Sequence, residues 1–364
     1  MPYFNVDEVE SALLGLQSTF PLICQLSDLP NTSVEGRVCR AVRIGSGAAD
    51  HVDAVLLTGA VHAREWGGAE ICVNVAADLC EAYTGGTGLG YGGKSFTADE
   101  VRTIVDDMNM IIFPQVNPDG RHFSQTSQAL WRRNRNPAES GGNPTCIGVD
   151  LNRNQDFLWD FPVHFDPESG VATSDNPCSA SQTYRGSAAA SEPETQNVVW
   201  LLDTYPRIRW YLDVHCSGEK LLFAWGDDKN QSTDCSMTFA NPAFDGMRGL
   251  GSDSYGEFIP KSDLSDILEL GMAFHDALFA VRGKDYSVEQ AYDLYPTSGA
   301  NDDYAYGRHF ADPSKSAVLG FTIEYGTDFQ PAWSEMERII ADVSAGILGF
   351  CLKAHEKSTA PAEV

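Results

Sequence analysis

His62-Ala63-Arg64-Glu65 sets a histidine and a carboxylate three residues apart, directly after an apolar run, AVLLTGAV. Such a pair can meet one cation when the intervening chain turns. Zinc in hydrolases takes three protein ligands of N or O type and leaves a position for water. His215 closes a second run, WYLDV, and is the natural third donor; Glu324 closes a third, LGFTI. In α/β folds ligands gather beyond the carboxyl ends of the strands, where all of these residues fall. An H-x-x-E pair alone is commonplace, and a lone histidine at a strand end is more often satisfied by its neighbours than by a metal. The rest of the sequence is what lends them weight.

The elements that must position these residues are legible as periodicities. Val6, Val9, Leu13, Leu16 and Phe20 alternate steps of three and four, as an amphipathic helix does. Ile71, Val75 and Leu79 mark a second helix. Ser191 followed by Glu194 has the pattern of a capping box and opens a third, through Val198, Leu201, Leu202 and Tyr205. Ile267, Phe274, Leu278 and Val281 mark a fourth. Met336, Ile340, Val343, Ile347 and Phe350 mark the last. Short apolar runs at 54–57, 110–113, 211–214 and 318–323 predict strands between them. Alternating strands and helices predict an α/β fold with a sheet buried on both faces. The glycine-rich stretch 84–95 and the stretch 138–144 read as surface loops within one domain.

Composition narrows the function. Fifty-one acidic residues against 25 basic leave a formal charge of −26. Nucleic acid and anionic membranes are disfavoured as partners. No run of eighteen apolar residues occurs, so no membrane span is expected. The opening MPYFNVDEVESALLGL lacks the basic start and apolar stretch of a signal peptide. Nine cysteines are present with no C-x-x-C pair, so at least one thiol is left over.

Seven motifs, in order, are GAVHAREW, QVNPDGR, WRRNR, CIGVDLNRN, LDVH, LYPTSGANDDYAYG and FTIEYG. Together they resemble the zinc carboxypeptidase family of the A and B type over nearly the whole chain, and most of all its bacterial branch. The resemblance implies a single α/β domain over 1–364, with a central mixed, roughly eight-stranded sheet between helices. A short flexible tail is expected after about 355, with no inhibitory pro-segment in this chain. It implies one Zn²⁺ per chain, held by His62, Glu65 and His215, with Asp150 orienting the first histidine. Glu324 matches the general base and Arg132 the residue that stabilises the oxyanion. Asn152 and Arg153 match the pair that grips the substrate's terminal carboxylate, and Tyr295 the mobile tyrosine that caps it. Arg64 matches a residue touching substrate further from the cut. Arg133 and Arg135 match no such role and read as solvated charge.

Asp302 falls at the family's specificity position, where an aspartate goes with C-terminal Lys and Arg. The implied activity is removal of single C-terminal residues from peptides and proteins, with basic residues preferred. Mixed specificity is an alternative, as is a peptide-binding protein on the same fold that has lost catalysis. Cys146 and Cys178 match the family's disulfide, from which a secreted, extracellular location follows; two free thiols are the alternative. The enzyme is expected to act as a monomer. Departures are Cys216 and Ser217 after the third ligand, where animal members have serine then tyrosine, and Tyr304 in place of a common tryptophan.

Overall fold

The computed structural model describes residues 3–48 and 50–359. The first third of the chain forms α1 (Val6–Thr19), β1 (Cys24–Asp28), β2 (Arg40–Ile44), β3 (Ala54–Gly59) and α2 (Gly67–Gly85). A small hairpin follows, β4 (Leu89–Tyr91) with β5 (Lys94–Phe96), then α3 (Ala98–Asp106), β6 (Asn109–Phe113) and α4 (Pro118–Thr126). The middle holds α5 (Phe161–His164), α6 (Pro193–Thr204), β7 (Ile208–His215), β8 (Lys220–Phe223), β9 (Asn230–Gln231) and β10 (Glu257–Phe258). The chain continues through α7 (Lys261–Arg282), β11 (Ser287–Gln290), α8 (Asn301–Ala311), β12 (Leu319–Glu324) and α9 (Trp333–Thr359).

Eight strands make one mixed sheet in the order β1-β2-β6-β3-β7-β12-β8-β11. β6, β3, β7 and β12 run parallel at its centre, and antiparallel pairs flank them. Strand alternation divides the core. Val55 and Leu57 join one core with α1, α2, α3, α7 and α9, whereas Ala54 and Leu56 join another with α6 and α8. Apolar residues at consecutive positions are therefore required, as the runs at 54–57 and 110–113 predict. No helix among the described residues is long and apolar enough to cross a membrane.

Several expectations need correction. The stretch 84–95 is not loop throughout: it enters the β4–β5 hairpin, whose turn uses Gly92 at φ +56°. Ser191 does not cap α6. Its hydroxyl donates to Glu192 and accepts from Asn154, while Pro193, which has no N–H to satisfy, starts the helix. The tail expected after about 355 is helical to Thr359, because Ala354 is buried and Lys357 pairs with Asp266 and Glu269 of α7. The remainder of that expected tail, 360–364, lies outside the described residues.

Candidate active site

β3, β7 and β12 are neighbours, and their carboxyl ends carry His62, His215 and Glu324. Glu324 is the register partner of His215. His62 and Glu65 lie in the tight turn from β3 into α2. Gly59 and Gly68 make that turn possible: a Cβ on Gly59 would meet the Gly68 carbonyl oxygen at 2.8 Å. The turn is tied to the following arginine segment by Ala63 N–H donating to the Arg132 carbonyl at 3.0 Å.

Two imidazoles face each other with Nδ1 atoms 2.9 Å apart. Glu65 lies 2.9 Å from His62 Nδ1 through Oε1 and 3.2 Å from His215 Nδ1 through Oε2. Each imidazole has a carboxylate at its other nitrogen: Asp150 Oδ1 at 3.1 Å from His62 Nε2, and Asp213 Oδ2 at 2.8 Å from His215 Nε2. If the Nε2 protons go to those carboxylates, both Nδ1 lone pairs point at one another and at Glu65. Electron-rich atoms this close repel unless a cation lies among them, and the carboxylate–histidine pairing is the one that metal-bound imidazoles use. The donor set fits zinc. Among the described residues, His62, Glu65 and His215 are the one group of three whose ligand atoms cluster closely enough to hold a metal.

The surroundings are built from charge. Burial disfavours ionised Asp150, yet Arg132 and His62 hold its carboxyl well below the usual range. Asp150 Oδ2 accepts from Arg132 Nε at 2.8 Å, so one carboxylate orients both a histidine and an arginine. It also caps the short turn that carries Asn152 and Arg153. Glu324 is different. Its Oε2 is buried without a hydrogen-bond partner among the described residues, and burial, with Glu65 close by, pushes its carboxyl up to about 8.

A cavity of about 180 Å³ opens beside these groups. His62, Arg64, Glu65, Arg132, Asn152, Arg153, Tyr295, Asp302 and Glu324 all line it. Arg153 is buried, its Nε donating to the Ala172 carbonyl at 2.7 Å, and Tyr295 is 40% exposed at the mouth. Arg64 stacks on Phe329 with its guanidinium 4.2 Å from the ring centre. Gly299 seats the Tyr295 segment against Arg153: it has φ +65°, and a Cβ there would strike the Arg153 carbonyl at 2.3 Å. Asp302 accepts from Thr322 Oγ1 at 2.9 Å and from Asp303 N–H at 3.0 Å, and burial raises its pKa. Asp303 turns away and accepts from Gly226 N–H.

Cys146 and Cys178 form a disulfide, and seven other cysteines are free, Cys235 alone of them exposed. Asp213 is the functional residue that motif matching passes over. It accepts from Thr58 and Asn301 as well as facing His215. Its signal in LDVH is strand alternation, which puts residues 213 and 215 on one face.

A family model described as zinc carboxypeptidase matches residues 9–346. The chain belongs to the zinc carboxypeptidase family. This zinc carboxypeptidase is 27% identical over 326 residues to carboxypeptidase B of Astacus astacus, covering 89% of this chain and 88% of that protein. It is 30% identical over 308 residues to metallocarboxypeptidase A of Trichophyton tonsurans, covering 83% of this chain and 60% of that longer protein. The fold is shared with carboxypeptidase A from Helicoverpa armigera, at a TM-score of 0.73 and 23% identity, over 97% of this chain and 74% of that one. It is shared also with bovine thrombin-activatable fibrinolysis inhibitor in complex with a tick carboxypeptidase inhibitor, at a TM-score of 0.71 and 18% identity, over 98% of each chain. The protein is a metallocarboxypeptidase, an exopeptidase acting on peptides.

Proposed function

We propose that this metallocarboxypeptidase releases C-terminal Lys and Arg in preference to apolar residues, using one zinc ion per chain held by His62, Glu65 and His215. The observation that carries the basic preference is Asp302 lining the cavity at 4% exposure, with only the neutral donors Thr322 and Asp303 N–H as hydrogen-bond partners among the described residues. A buried carboxylate gains a charge-assisted partner when a lysine or arginine side chain enters. An apolar side chain leaves it unpaired, at a cost of roughly 1–3 kcal/mol or more.

Position in the cavity supports the remaining roles. Arg153 and Asn152 bind the substrate's terminal carboxylate, Tyr295 closes over it from the mouth, and Arg64 touches the chain upstream. A bound zinc supplies Lewis acidity to the attacking water and the scissile carbonyl. Glu324, lifted toward neutrality, accepts the water's proton at its free Oε2 and returns it to the departing amine. Arg132, held by Asp150, donates to the oxyanion as it forms. The Cys146–Cys178 bond favours an oxidising compartment, in keeping with a secreted enzyme.

The test is a pair of peptides that differ only in ending with Arg or Phe. The native enzyme is expected to favour Arg in kcat/KM by roughly tenfold to a few hundredfold. Asp302→Ile is expected to reverse that order. Equal release of Phe and Arg by the native enzyme would refute the basic preference while leaving the exopeptidase intact.

A further inference from the structure

Arg132 faces the catalytic cavity, but its neighbours do not. Residues 131–135 alternate, so Trp131, Arg133 and Arg135 line a separate groove of about 520 Å³ on the other side of the segment. Arg133 and Arg135, which read from the sequence as solvated charge, are packed. Arg133 is 1% exposed and donates to the carbonyls of Pro177 and Thr145 at 2.6 and 2.8 Å. Arg135 lies on Phe123, its guanidinium 3.7 Å from the ring centre, and 4.8 Å from that of Trp131.

Both arginines keep donors in reserve. Arg133 Nε and Arg135 Nη1 are buried, and neither finds an acceptor among the described residues. Glu35 approaches Arg135 Nε only to 3.8 Å and does not line the groove. In a chain with 51 acidic residues, this groove is walled without a single Asp or Glu among the described residues. Its other polar walls include Gln128 and Gln182, and Gln182 also accepts from the Arg132 backbone N–H at 3.0 Å. Buried guanidinium N–H groups left without acceptors are costly, and an oxyanion held between the two arginines offers each of them a charge-assisted acceptor.

We infer that the groove between Arg133, Arg135 and Trp131 is a second ligand site that binds an oxyanion, a carboxylate or a phosphate, independently of the zinc centre. The shared segment makes it a site from which a bound anion can be felt at Arg132.

The test uses the full chain carrying Arg153→Gln, so that the terminal-carboxylate site does not compete. N-acetylglutamate α-amide and inorganic phosphate are titrated separately, followed by heat and by tryptophan fluorescence. At least one probe is expected to bind with a Kd below roughly 10 mM, on the weak end of specific association. Adding Arg135→Gln is expected to weaken that binding tenfold or more, and Arg135→Lys to weaken it less. Ala180→Glu, an exposed wall position, is expected to have the same effect as Arg135→Gln by placing a carboxylate in the groove, and covers the case of a poorly folding arginine variant. Binding of the glutamate probe alone points to acidic side chains of peptides, and binding of phosphate alone to phosphorylated or free phosphate ligands. No binding of either probe, or binding indifferent to both Arg135→Gln and Ala180→Glu, would overturn the inference.

Discussion

Glu324 stands next to His215 across the β7–β12 pair with one oxygen unclaimed, which is the position a proton acceptor needs. Glu324→Gln keeps its shape and removes its basicity. Turnover is expected to fall by about 10² to 10⁴, with KM nearly unchanged, in steady-state kinetics. Asp213 acts one step further out, by holding His215 through Nε2. Asp213→Asn is expected to weaken zinc binding by about 10- to 100-fold in competition with a chelator, while the fold persists. The two residues differ in legibility. His62, Glu65, His215 and Glu324 are marked by the motifs GAVHAREW, LDVH and FTIEYG, with position at strand ends in support. Asp213 is equally close to the metal ligands, but in one dimension it is simply an acid inside an apolar run. Strand alternation puts it on one face with His215, and only the structure shows that its Oδ2 reaches His215 Nε2.

Elements place these residues, and the central ones are the legible ones. β3, β6, β7 and β12 are apolar because both their faces are covered, so they stand out as runs. β1, β2, β8 and β11 lie toward the sheet's edges and mix polar with apolar residues, as in CQLSD and SVEQ; the runs do not reveal them. The start of α6 is a different case, since Glu194 is occupied elsewhere. It accepts from Val34 N–H and Asn134 Nδ2, each at 3.1 Å, and burial raises its carboxyl to about 7. A carboxyl raised on folding binds its proton more tightly in the folded state. Its ionisation therefore costs stability as pH rises from the ordinary carboxyl range to about 7. Glu194→Gln removes that titration. Its melting temperature relative to the native protein is expected to improve between pH 5 and pH 8, measured by thermal unfolding at both pH values. A difference that does not change with pH would mean that Glu194 is ionised throughout.

At the scale of the molecule, the sheet brings the ligand set from β3 and β7 and Glu324 from β12 to one end, with the cavity beside them. The chain carries a formal charge of −26, which attracts cations at long range or serves solubility. Composition alone does not separate steering from solubility; the position of Asp302 gives the charge a local counterpart. The proposed activity depends on His62, Glu65 and His215 holding a catalytic zinc. The most direct measurement strips the purified enzyme of metal with a chelator, then adds zinc stepwise while mass spectrometry follows a peptide ending in arginine. The expected result is no cleavage without metal, loss of the single C-terminal residue once zinc is restored, and saturation near one zinc per chain. Full activity in the metal-free protein, or cleavage within the peptide instead of at its end, would contradict it.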